Sequence, residues 1–468
     1  MNLDDNLEKL KEDVPEVNPY LETKIYQSVN HSKKQRNPFF NKLTFSIAGI
    51  TLIVFLAVLG PFISRNREKA QVESSAILLK DVTNPSGKKA PASIHTFREK
   101  LNDFSGDLSY AYLQSIDKTE NAILSPASIF SALAMATECS SQDSKEEILH
   151  ALGMDYTLLK ENYGYFYQEM NRIIRDYKDT TITEKKMTNS IWLNRSLSYN
   201  EDCIHSLAED YYCYSHHVNF EKSRLASKYI HNFIIEATHG LIDLNLDLSP
   251  ETIFVLLNTL YLKDSWGIAE LDLTDKVYNF KNFDQSITQK KFLKGTYQLG
   301  KALEKENYKQ FYTAAENTQI TFIVPTNGAS IDNVFTKEVI SNASVTSYDI
   351  GNDETGYYKT RCIFPEFEAN SQQYMGNLLQ DQFSIQKMFM PEAFTQLTSP
   401  NAFCSNIVHV AKLKVDRKGI EGAAVTALMS DGSAPRLEIL EDFVIDQSFG
   451  FIVSSNGSNL FSGIIRHI

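Results

Sequence analysis

One uncharged run near the amino terminus divides this chain of 468 residues into unequal parts. Residues 43–63 read LTFSIAGITLIVFLAVLGPFI and contain no charged side chain. A helix needs about 20 apolar residues to cross the hydrocarbon core of a bilayer. A signal peptide would place a shorter apolar run nearer the start, ahead of a cleavage motif of small residues. The run therefore predicts one transmembrane helix.

The segments that flank this run have different compositions. Residues 1–42 are acidic in their first half and basic in their second, which is typical of a short solvated tail. Residues 64–95 are polar, contain the turn signal Asn84-Pro85-Ser86-Gly87, and predict a stalk. Four basic residues lie just before the apolar run and three just after it, which slightly favours a cytoplasmic tail. Residues 96–468 predict one globular domain.

The composition excludes several classes of protein. The chain has 46 basic and 58 acidic residues, a net charge of −12, which argues against a nucleic-acid-binding protein. Five scattered cysteines are too few for a disulfide scaffold. Cys213, His216 and His217 lack a fourth ligand at the spacing of a zinc site. We therefore expect neither a metal nor another cofactor.

The order of helical and strand-like segments predicts the fold class. Helical periodicity occurs in residues 101–116, 125–137, 144–152 and 158–176. Strand-like stretches occur in residues 190–193, 253–262, 319–324, 359–364, 409–415, 442–445 and 449–454. Helices dominate early and strands late, which indicates an α+β fold rather than alternating strand and helix units.

Motifs of common catalytic sites are absent from the sequence. It contains no GxSxG, GxxxxGK[ST], HExxH or GxGxxG pattern. His409 lies in an apolar strand-like run, where a histidine is more often a hydrogen-bonded core residue than a general base. We therefore expect that the chain is not an enzyme.

Six spaced motifs occur in the order of one known family. They are NAILSPASIFS at 121–131, TNSIWL at 188–193, IHNFIIEATHGLI at 230–242, VLLNTLYLKDSW at 255–266, FPEF at 364–367 and FGFIVSSNGSNLFS at 449–462. Together they make the chain resemble the serpins, the serine protease inhibitors, from about residue 101 to the carboxyl terminus. Each motif alone is weak, but their common order is a specific signal.

The resemblance implies a fold and a mechanism. A serpin is a single α+β domain with a mixed central β-sheet, additional sheets and about eight or nine helices. Its central sheet accepts an extra strand when a protease cuts an exposed loop near the carboxyl terminus. The cut loop inserts before the acyl-enzyme hydrolyses, and the inhibitor is consumed. The implied partner of a monomeric inhibitor is a serine protease, with a papain-like cysteine protease as the alternative.

The segment in the position of the loop hinge is suited to becoming a central strand. Residues 415–429 read VDRKGIEGAAVTALM and contain no proline, which would remove a hydrogen-bond donor from the sheet. With a period of two, one face carries the uncharged residues Ile420, Gly422, Ala424, Thr426 and Leu428. The other face carries Glu421, Ala423, Val425, Ala427 and Met429. The alternative is a surface helix or linker, because alanine favours helix.

The hinge departs from the family's pattern at several positions. The resemblance assigns the hinge to Arg417, Gly419, Ile420, Glu421, Gly422, Ala423 and Ala424. Arg417 stands where the family usually has Glu, and Ile420 where it usually has Thr or Ser. Ile420 is β-branched and can still enter a sheet, whereas Gly422 in place of Ala slightly weakens a strand. A non-inhibitory serpin that serves as a binding or carrier module is therefore the alternative function.

Two positions compete for the reactive bond. Counting back from Phe449 gives Arg436–Leu437, and counting forward from Gly419 gives Ser433–Ala434. Arg436 is the one basic residue in 419–446, and a trypsin-like protease binds a basic side chain in its pocket. We therefore predict cleavage after Arg436. The alternatives at Leu428, Met429 or Leu437 would suit a chymotrypsin-like or elastase-like enzyme.

The resemblance also assigns residues that control the opening of the central sheet. Ser125, Ser128, Asn189 and His409 match the family's hydrogen-bonding cluster beneath the opening, and Trp192 matches the aromatic residue at its top. Buried polar groups of this kind need hydrogen-bond partners. Together, the predictions describe a membrane-anchored inhibitor with its serpin domain outside the cell, on a bacterial surface.

Overall fold

The computed structural model describes residues 76–82, 85–176, 178–266, 270–352, 356–399, 401–404, 407–420 and 438–468. All of them belong to one compact unit, Gln71–Ile468. The predicted tail at 1–42 and the predicted transmembrane helix at 43–63 lie outside the described residues. Within the described ranges, no helix combines the length and the hydropathy that a membrane span requires.

Helices and strands are distributed over the whole described part of the chain, which contains nine α-helices. The helices are α1 Ile94–Ser115, α2 Pro126–Cys139, α3 Gln142–Ala151, α4 Tyr156–Glu169, α5 Glu201–Asp210, α6 Ser223–Ala237, α7 Ile331–Val334, α8 Lys337–Asn342 and α9 Gly376–Phe383. The first strands are β1 Ala76–Lys80, β2 Ala122–Leu124, β3 Asn171–Arg175, β4 Thr181–Asn194, β5 Cys213–Val218, β6 Phe254–Ser265 and β7 Asp272–Leu273. The next are β8 Tyr278–Lys281, β9 Ile287–Lys290, β10 Leu293–Leu299, β11 Leu303–Glu304, β12 Tyr308–Ala314, β13 Gln319–Pro325 and β14 Gly351–Asn352. The last are β15 Gly356–Phe364, β16 Phe367–Tyr374, β17 Val408–Asp416, β18 Gly419–Ile420, β19 Glu438–Val444, β20 Phe449–Ser455 and β21 Ser458–Ile465.

The strands form one large mixed sheet and smaller sheets around it. Eight strands build the large sheet in the order β1-β5-β4-β6-β18-β17-β16, with β3 beside β4. The β4–β5 pair is parallel and the β4–β6 pair is antiparallel, so the sheet is mixed as expected. A six-stranded sheet follows the order β11-β12-β13-β20-β21-β2, and β19 joins a five-stranded sheet through β15. This arrangement confirms the predicted α+β architecture.

Helix α2 lies between the two largest sheets and contacts both β6 and β21. Ser125 caps its amino terminus and Pro126 occupies its first turn, two features that favour a helix start. Buried alanines such as Ala127 and Ala134 allow the close approach of the two sheets. The helix therefore brings its first turn to the middle of the large sheet.

Two segments differ from the predictions. Residues 76–80, predicted as part of a stalk, form β1 along β5 at the edge of the large sheet, and α1 begins at Ile94. The strand reads AILLK within an otherwise polar segment, and the composition of the whole segment did not reveal it. An edge strand needs only one neighbour, and Ile77, Leu78 and Leu79 stay exposed. The helix predicted at 158–176 ends at Glu169, since residues 171–175 pair with β4 as β3.

Strands β6 and β17 run parallel on either side of β18. Gly419 and Ile420 pair with Ser265 and Asp264 on β6, and with residues of β17 on the other side. Beyond Ile420, no other described residue pairs between these two strands. We call this gap, between residues 254–263 of β6 and 408–414 of β17, the slot.

Gly419 allows β18 to approach β6 closely. A Cβ atom at this position would lie 2.2 Å from the carbonyl oxygen of Asp264 and 2.9 Å from the Cα of Ser265. We expect Gly419→Ala to lower the free energy of unfolding by about 1–3 kcal/mol more than Gly328→Ala does. Gly328 is a matched control because it also has a positive φ but has open space around it. Urea unfolding measures both variants. If both lose the same free energy of unfolding, the close approach of β18 to β6 does not contribute to stability.

Candidate functional site: the slot and the residues that close it

The turn from β17 into β18 is fixed at the upper end of the slot. The Nε1–H of Trp266 donates to the carbonyl oxygen of Asp416 at 2.8 Å, and the backbone N–H of Leu271 donates to that of Arg417 at 2.8 Å. The Arg417 guanidinium lies 3.7 Å from the carboxylate of Glu270. Arg417, which replaces the family's usual Glu, therefore has an acidic partner in this chain.

A buried carboxylate supports β6 where β18 pairs with it. Asp264 accepts hydrogen bonds from the hydroxyl of Thr183, from the backbone N–H of Asn317 at 2.9 Å and from the hydroxyl of Thr318 at 2.7 Å. Burial raises the pKa of Asp264, and these hydrogen bonds oppose that effect. The network joins β4, β6 and the turn between β12 and β13.

The nearby ammonium group of Lys185 is also buried. Its Nζ donates to the hydroxyl of Ser455 at 2.7 Å, and burial lowers its pKa to about 8. The charge of Asp264 partly offsets that effect. The hinge end of β6 thus rests on a buried polar network whose charges have partners.

A chain of hydrogen bonds crosses the slot at its middle. The backbone N–H of Ser125 donates to Nε2 of His409 on β17 at 3.1 Å. The hydroxyl of Ser128 donates to Oδ1 of Asn258 on β6. The side chain of Asn258 in turn donates to Oδ1 of Asn189 on β4 at 2.7 Å. We call these five residues the cross-slot cluster.

The cluster is anchored to α4, to the residue after α5 and to β21. Asn189 donates to the hydroxyl of Tyr163 at 2.8 Å and to the carbonyl oxygen of Tyr211 at 2.7 Å. The hydroxyl of Ser125 donates to the carbonyl oxygen of Leu460 on β21 at 2.9 Å. Burial raises the pKa of Tyr163, so its hydroxyl stays protonated. The first turn of α2 therefore contacts β6 and β17 at the same level of the slot.

His409 contributes as a neutral hydrogen-bond acceptor. Its side chain is 3% exposed, and burial lowers its pKa to about 4. Because Nε2 accepts the hydrogen bond from Ser125, the proton of the neutral ring resides on Nδ1. Protonation of Nε2 would remove the acceptor and with it the link between α2 and β17.

The structure places Trp192 away from the position predicted for it. Trp192 pairs with Val255 near the start of β6 and stacks on His216 at 4.0 Å between ring centroids, beneath α6. Trp266 lies beside the hinge instead. Both tryptophans occur in motifs that the resemblance covers, and motif order alone does not show which end of the slot each one occupies.

Sequence analysis missed three members of the site. Asn258 lies inside the quoted run VLLNTLYLKDSW, where a single amide among apolar residues signals a buried group that needs partners. Tyr163 and Ser131 join the cluster from α4 and α2, and Ser131 donates to Asn189 at 3.0 Å. Nothing in their local sequence distinguishes them from ordinary core residues.

The predicted reactive bond lies outside the described residues. So do Glu421, Gly422, Ala423 and Ala424 of the hinge, the bond Arg436–Leu437 and its alternative Ser433–Ala434. Ile420, the last described residue before this segment, pairs in the large sheet, and Glu438, the first described residue after it, begins β19 in a different sheet. Ile420 itself is completely buried, in agreement with the uncharged face predicted for the hinge.

No metal centre accompanies the slot among the described residues, where no three potential ligands from His, Cys, Asp and Glu converge. The lower part of the slot instead contains a cavity of about 340 Å³. Phe254 and Leu256 of β6, Ile407, Val408 of β17 and Phe394 supply apolar walls, and the cavity extends to His409.

Comparison with known proteins assigns the family. The profile described as "Serpin (serine protease inhibitor)" matches residues 99–468. Serine protease inhibitor 88Ea of Drosophila melanogaster is 26% identical over 79% of this chain and 91% of that protein. Human neuroserpin is 21% identical over 79% of this chain and 91% of its own length. The chain therefore belongs to the serpin family.

Solved structures support the same fold. The thermophilic serpin tengpin in its native state has a TM-score of 0.66 at 20% identity, covering 84% of this chain and all of that structure. Thyroxine-binding globulin in complex with thyroxine has a TM-score of 0.63 at 21% identity, covering 79% of this chain and 98% of that structure. Both agree with the serpin fold expected from the motifs.

The buried neutral state of His409 predicts a pH dependence of stability. An unfolded histidine has a pKa of about 6.5, so between pH 6.5 and about 4 the unfolded chain binds a proton that folded His409 does not. The free energy of unfolding should therefore fall as the pH drops through this range, by roughly 3 kcal/mol for this residue. Urea unfolding at several pH values measures it.

His409→Gln should remove this part of the pH dependence. His216, whose pKa burial also lowers to about 4, supplies a separate contribution that the variant keeps. His216→Gln is thus a matched control with an intact cross-slot cluster. Parallel pH profiles for wild type and His409→Gln would contradict the assignment.

Proposed function

We propose that this chain inhibits serine proteases as a suicide substrate. Residues 421–437, here called the bait loop, present the reactive bond, and the slot receives the cut loop as a new strand. The single observation that carries the proposal is the position of Gly419 and Ile420. They already pair as a short strand between β6 and β17, directly ahead of the bait loop.

The proposed reaction uses the catalytic residues of the protease. Its nucleophile attacks the carbonyl carbon of the reactive bond, the amine on the carboxyl side leaves, and an ester joins bait and protease. The bait remains attached to the sheet through Ile420. Insertion from that point adds backbone hydrogen bonds on both sides of the new strand and carries the protease away before water reaches the ester.

The pairing register of β18 fixes where each inserted residue would lie. Ile420 is opposite Asp264 on β6 and Val415 on β17. Continuing the same antiparallel register by six residues brings Thr426 opposite Asn258 and His409. Its hydroxyl can donate and accept hydrogen bonds, so it can satisfy cluster groups that separate when the slot opens.

A charge at Thr426 should block insertion. We expect Thr426→Glu to turn the inhibitor into a substrate, because the carboxylate would be buried beside Asn258 and His409. Ala423→Glu introduces the same group on the opposite face, beside Lys412, and should preserve inhibition. The measurement is the number of chains consumed for each protease molecule inactivated. Loss of inhibition in both variants, or in neither, would contradict this register.

The proposed reactive bond is Arg436–Leu437, which implies a trypsin-like target. The support is the basic side chain of Arg436 and its place in the sequence directly before β19. Ser433–Ala434 is the alternative and leaves four residues before β19. A papain-like cysteine protease remains the second class of target.

Trypsin should form a covalent complex with the purified full chain. We expect a band of the summed mass on an SDS gel and, by mass spectrometry, a released fragment that begins at Leu437. Arg436→Ala should abolish the complex because the basic side chain is lost, whereas Ser433→Ala should retain it. A fragment that begins at Ala434 would assign the reactive bond to Ser433–Ala434 instead. Repeated turnover without a complex would overturn the proposed inhibition by trypsin.

A non-inhibitory carrier is the second candidate, and the cavity of about 340 Å³ in the lower slot favours it. Small-molecule sites combine apolar walls with polar groups that orient the ligand, and the lining of this cavity contains both. Thyroxine-binding globulin, whose structure was determined with thyroxine, shares the fold. A carrier would bind its ligand without cleavage and would give no SDS-resistant complex with any protease.

We further propose that the inhibitor is displayed on the outer surface of a bacterial cell. The support is the uncharged run at 43–63 and the slight excess of basic residues before it. A protease inhibitor facing the outside would meet extracellular proteases.

Membrane anchoring has a direct test. The full chain should sediment with membranes and resist extraction by high salt, since an apolar span is held by burial rather than by charge. A chain without residues 43–63 should remain in the supernatant. Protease added to intact cells should release the folded domain. Recovery of the full chain in the soluble fraction would contradict the anchor.

A further inference from the structure

Two cysteines that are far apart in sequence meet at the contact between α2 and α5. Cys139 is the last residue of α2, and Cys203 lies in the first turn of α5. Their Sγ atoms are 3.8 Å apart across 64 residues of chain. A disulfide bond is about 2.05 Å long, so a modest change in side-chain position would join them.

Polar contacts hold the two helices in place beside the thiols. The carboxylate of Glu138, the residue next to Cys139, accepts hydrogen bonds from the hydroxyls of Ser206 at 2.6 Å and Tyr156 at 2.7 Å. The ammonium of Lys160 lies 3.4 Å from Glu138 and 2.6 Å from Asp210. These contacts fix α5 against the end of α2, so the thiols face each other in a preformed arrangement.

We propose that Cys139 and Cys203 form a redox-sensitive disulfide that ties α2 to α5. With glutathione disulfide as oxidant, the thiolate of Cys203 attacks one of its sulfurs, giving a mixed disulfide and one glutathione thiol. The thiolate of Cys139 then attacks the Cys203 sulfur and releases the second glutathione. Two protein thiols lose two electrons and two protons, and the oxidant is reduced to two thiols.

The chemistry of the pair predicts slow oxidation of the folded chain. Cys139 is completely buried and Cys203 is 6% exposed, so the oxidant needs α5 to lift or to be still undocked during folding. The contact with the Cys203 thiol and burial raise the pKa of Cys139. Oxidation should therefore be faster during refolding and at alkaline pH than on the native protein at neutral pH.

The Cys139–Cys203 disulfide would affect the opening of the slot through α2. The first turn of α2 contacts both sides of the slot, through Ser128 to Asn258 and through Ser125 to His409. Helix α5 leads into β5, which belongs to the same part of the sheet as β6. Oxidation would hold α2 to the part of the sheet that contains β5 and β6. Opening of the slot would then have to break the hydrogen bond between Ser125 and His409. This consequence for insertion rests on the proposed function.

The test oxidises the purified full chain with glutathione disulfide during refolding and counts thiols with N-ethylmaleimide under denaturing conditions. The chain has five cysteines, so the reduced protein should give five adducts and the oxidised protein three. Peptide mapping should find Cys139 linked to Cys203. The thermal unfolding midpoint of the uncut chain should rise by several degrees on oxidation and return with dithiothreitol, because the bond restricts the unfolded chain.

Matched variants separate this pair from the other thiols. Cys139→Ala and Cys203→Ala should each retain all remaining thiols after oxidation, whereas Cys362→Ala, at another buried site, should still lose two. Five adducts after oxidation, a link to Cys213, or an unchanged midpoint would overturn the proposal. Thiol counting does not depend on inhibition. Absence of a protease complex in both redox states would therefore reject the proposed function and leave the disulfide standing.

Discussion

Strand pairing at the position between β6 and β17 is the interaction on which the rest of this structure depends. Among the described residues, only Gly419 and Ile420 pair between these strands. A strand that enters the slot gains hydrogen bonds on both of its edges, whereas a strand at the rim of a sheet gains them on one. Gly419 and Ile420 therefore begin a central strand position inside the largest sheet, and the segment that follows them in sequence suits the same position.

Among the described residues below Ile420, side chains rather than strand pairing connect the two sides of the slot. At the upper end, the side chain of Trp266 holds the turn that leads into the hinge. At the middle, the first turn of α2 contacts His409 on one strand and Asn258 on the other. Such buried polar contacts are costly to leave unsatisfied, so the slot opens only when other partners replace them. In the proposed mechanism, this requirement would restrain insertion until proteolysis frees the bait loop.

The sequence was informative about features that follow from periodicity and motif order. It was less informative about contacts between segments that are distant along the chain. Periodicity was enough to predict the α+β class, and the resemblance named Ser125, Ser128, Asn189 and His409, which the structure places in one set of hydrogen-bonded residues. The end of the slot at which Trp192 or Trp266 lies depends on strand register, which the motifs do not contain. The strand at 76–80 and the meeting of Cys139 with Cys203 depend on tertiary contacts that neither composition nor spacing shows.

Hydrogen exchange of the slot-facing amides tests the central claim most directly. A protease that the chain does not trap would cut the bait loop. Hydrogen exchange of the backbone amides of β6 and β17 would then be compared before and after the cut. The account predicts that amides of residues 257–263 and 408–414 that point into the slot become strongly protected after the cut. Unchanged exchange at these amides would show that the cut loop stays outside the sheet and would contradict the account.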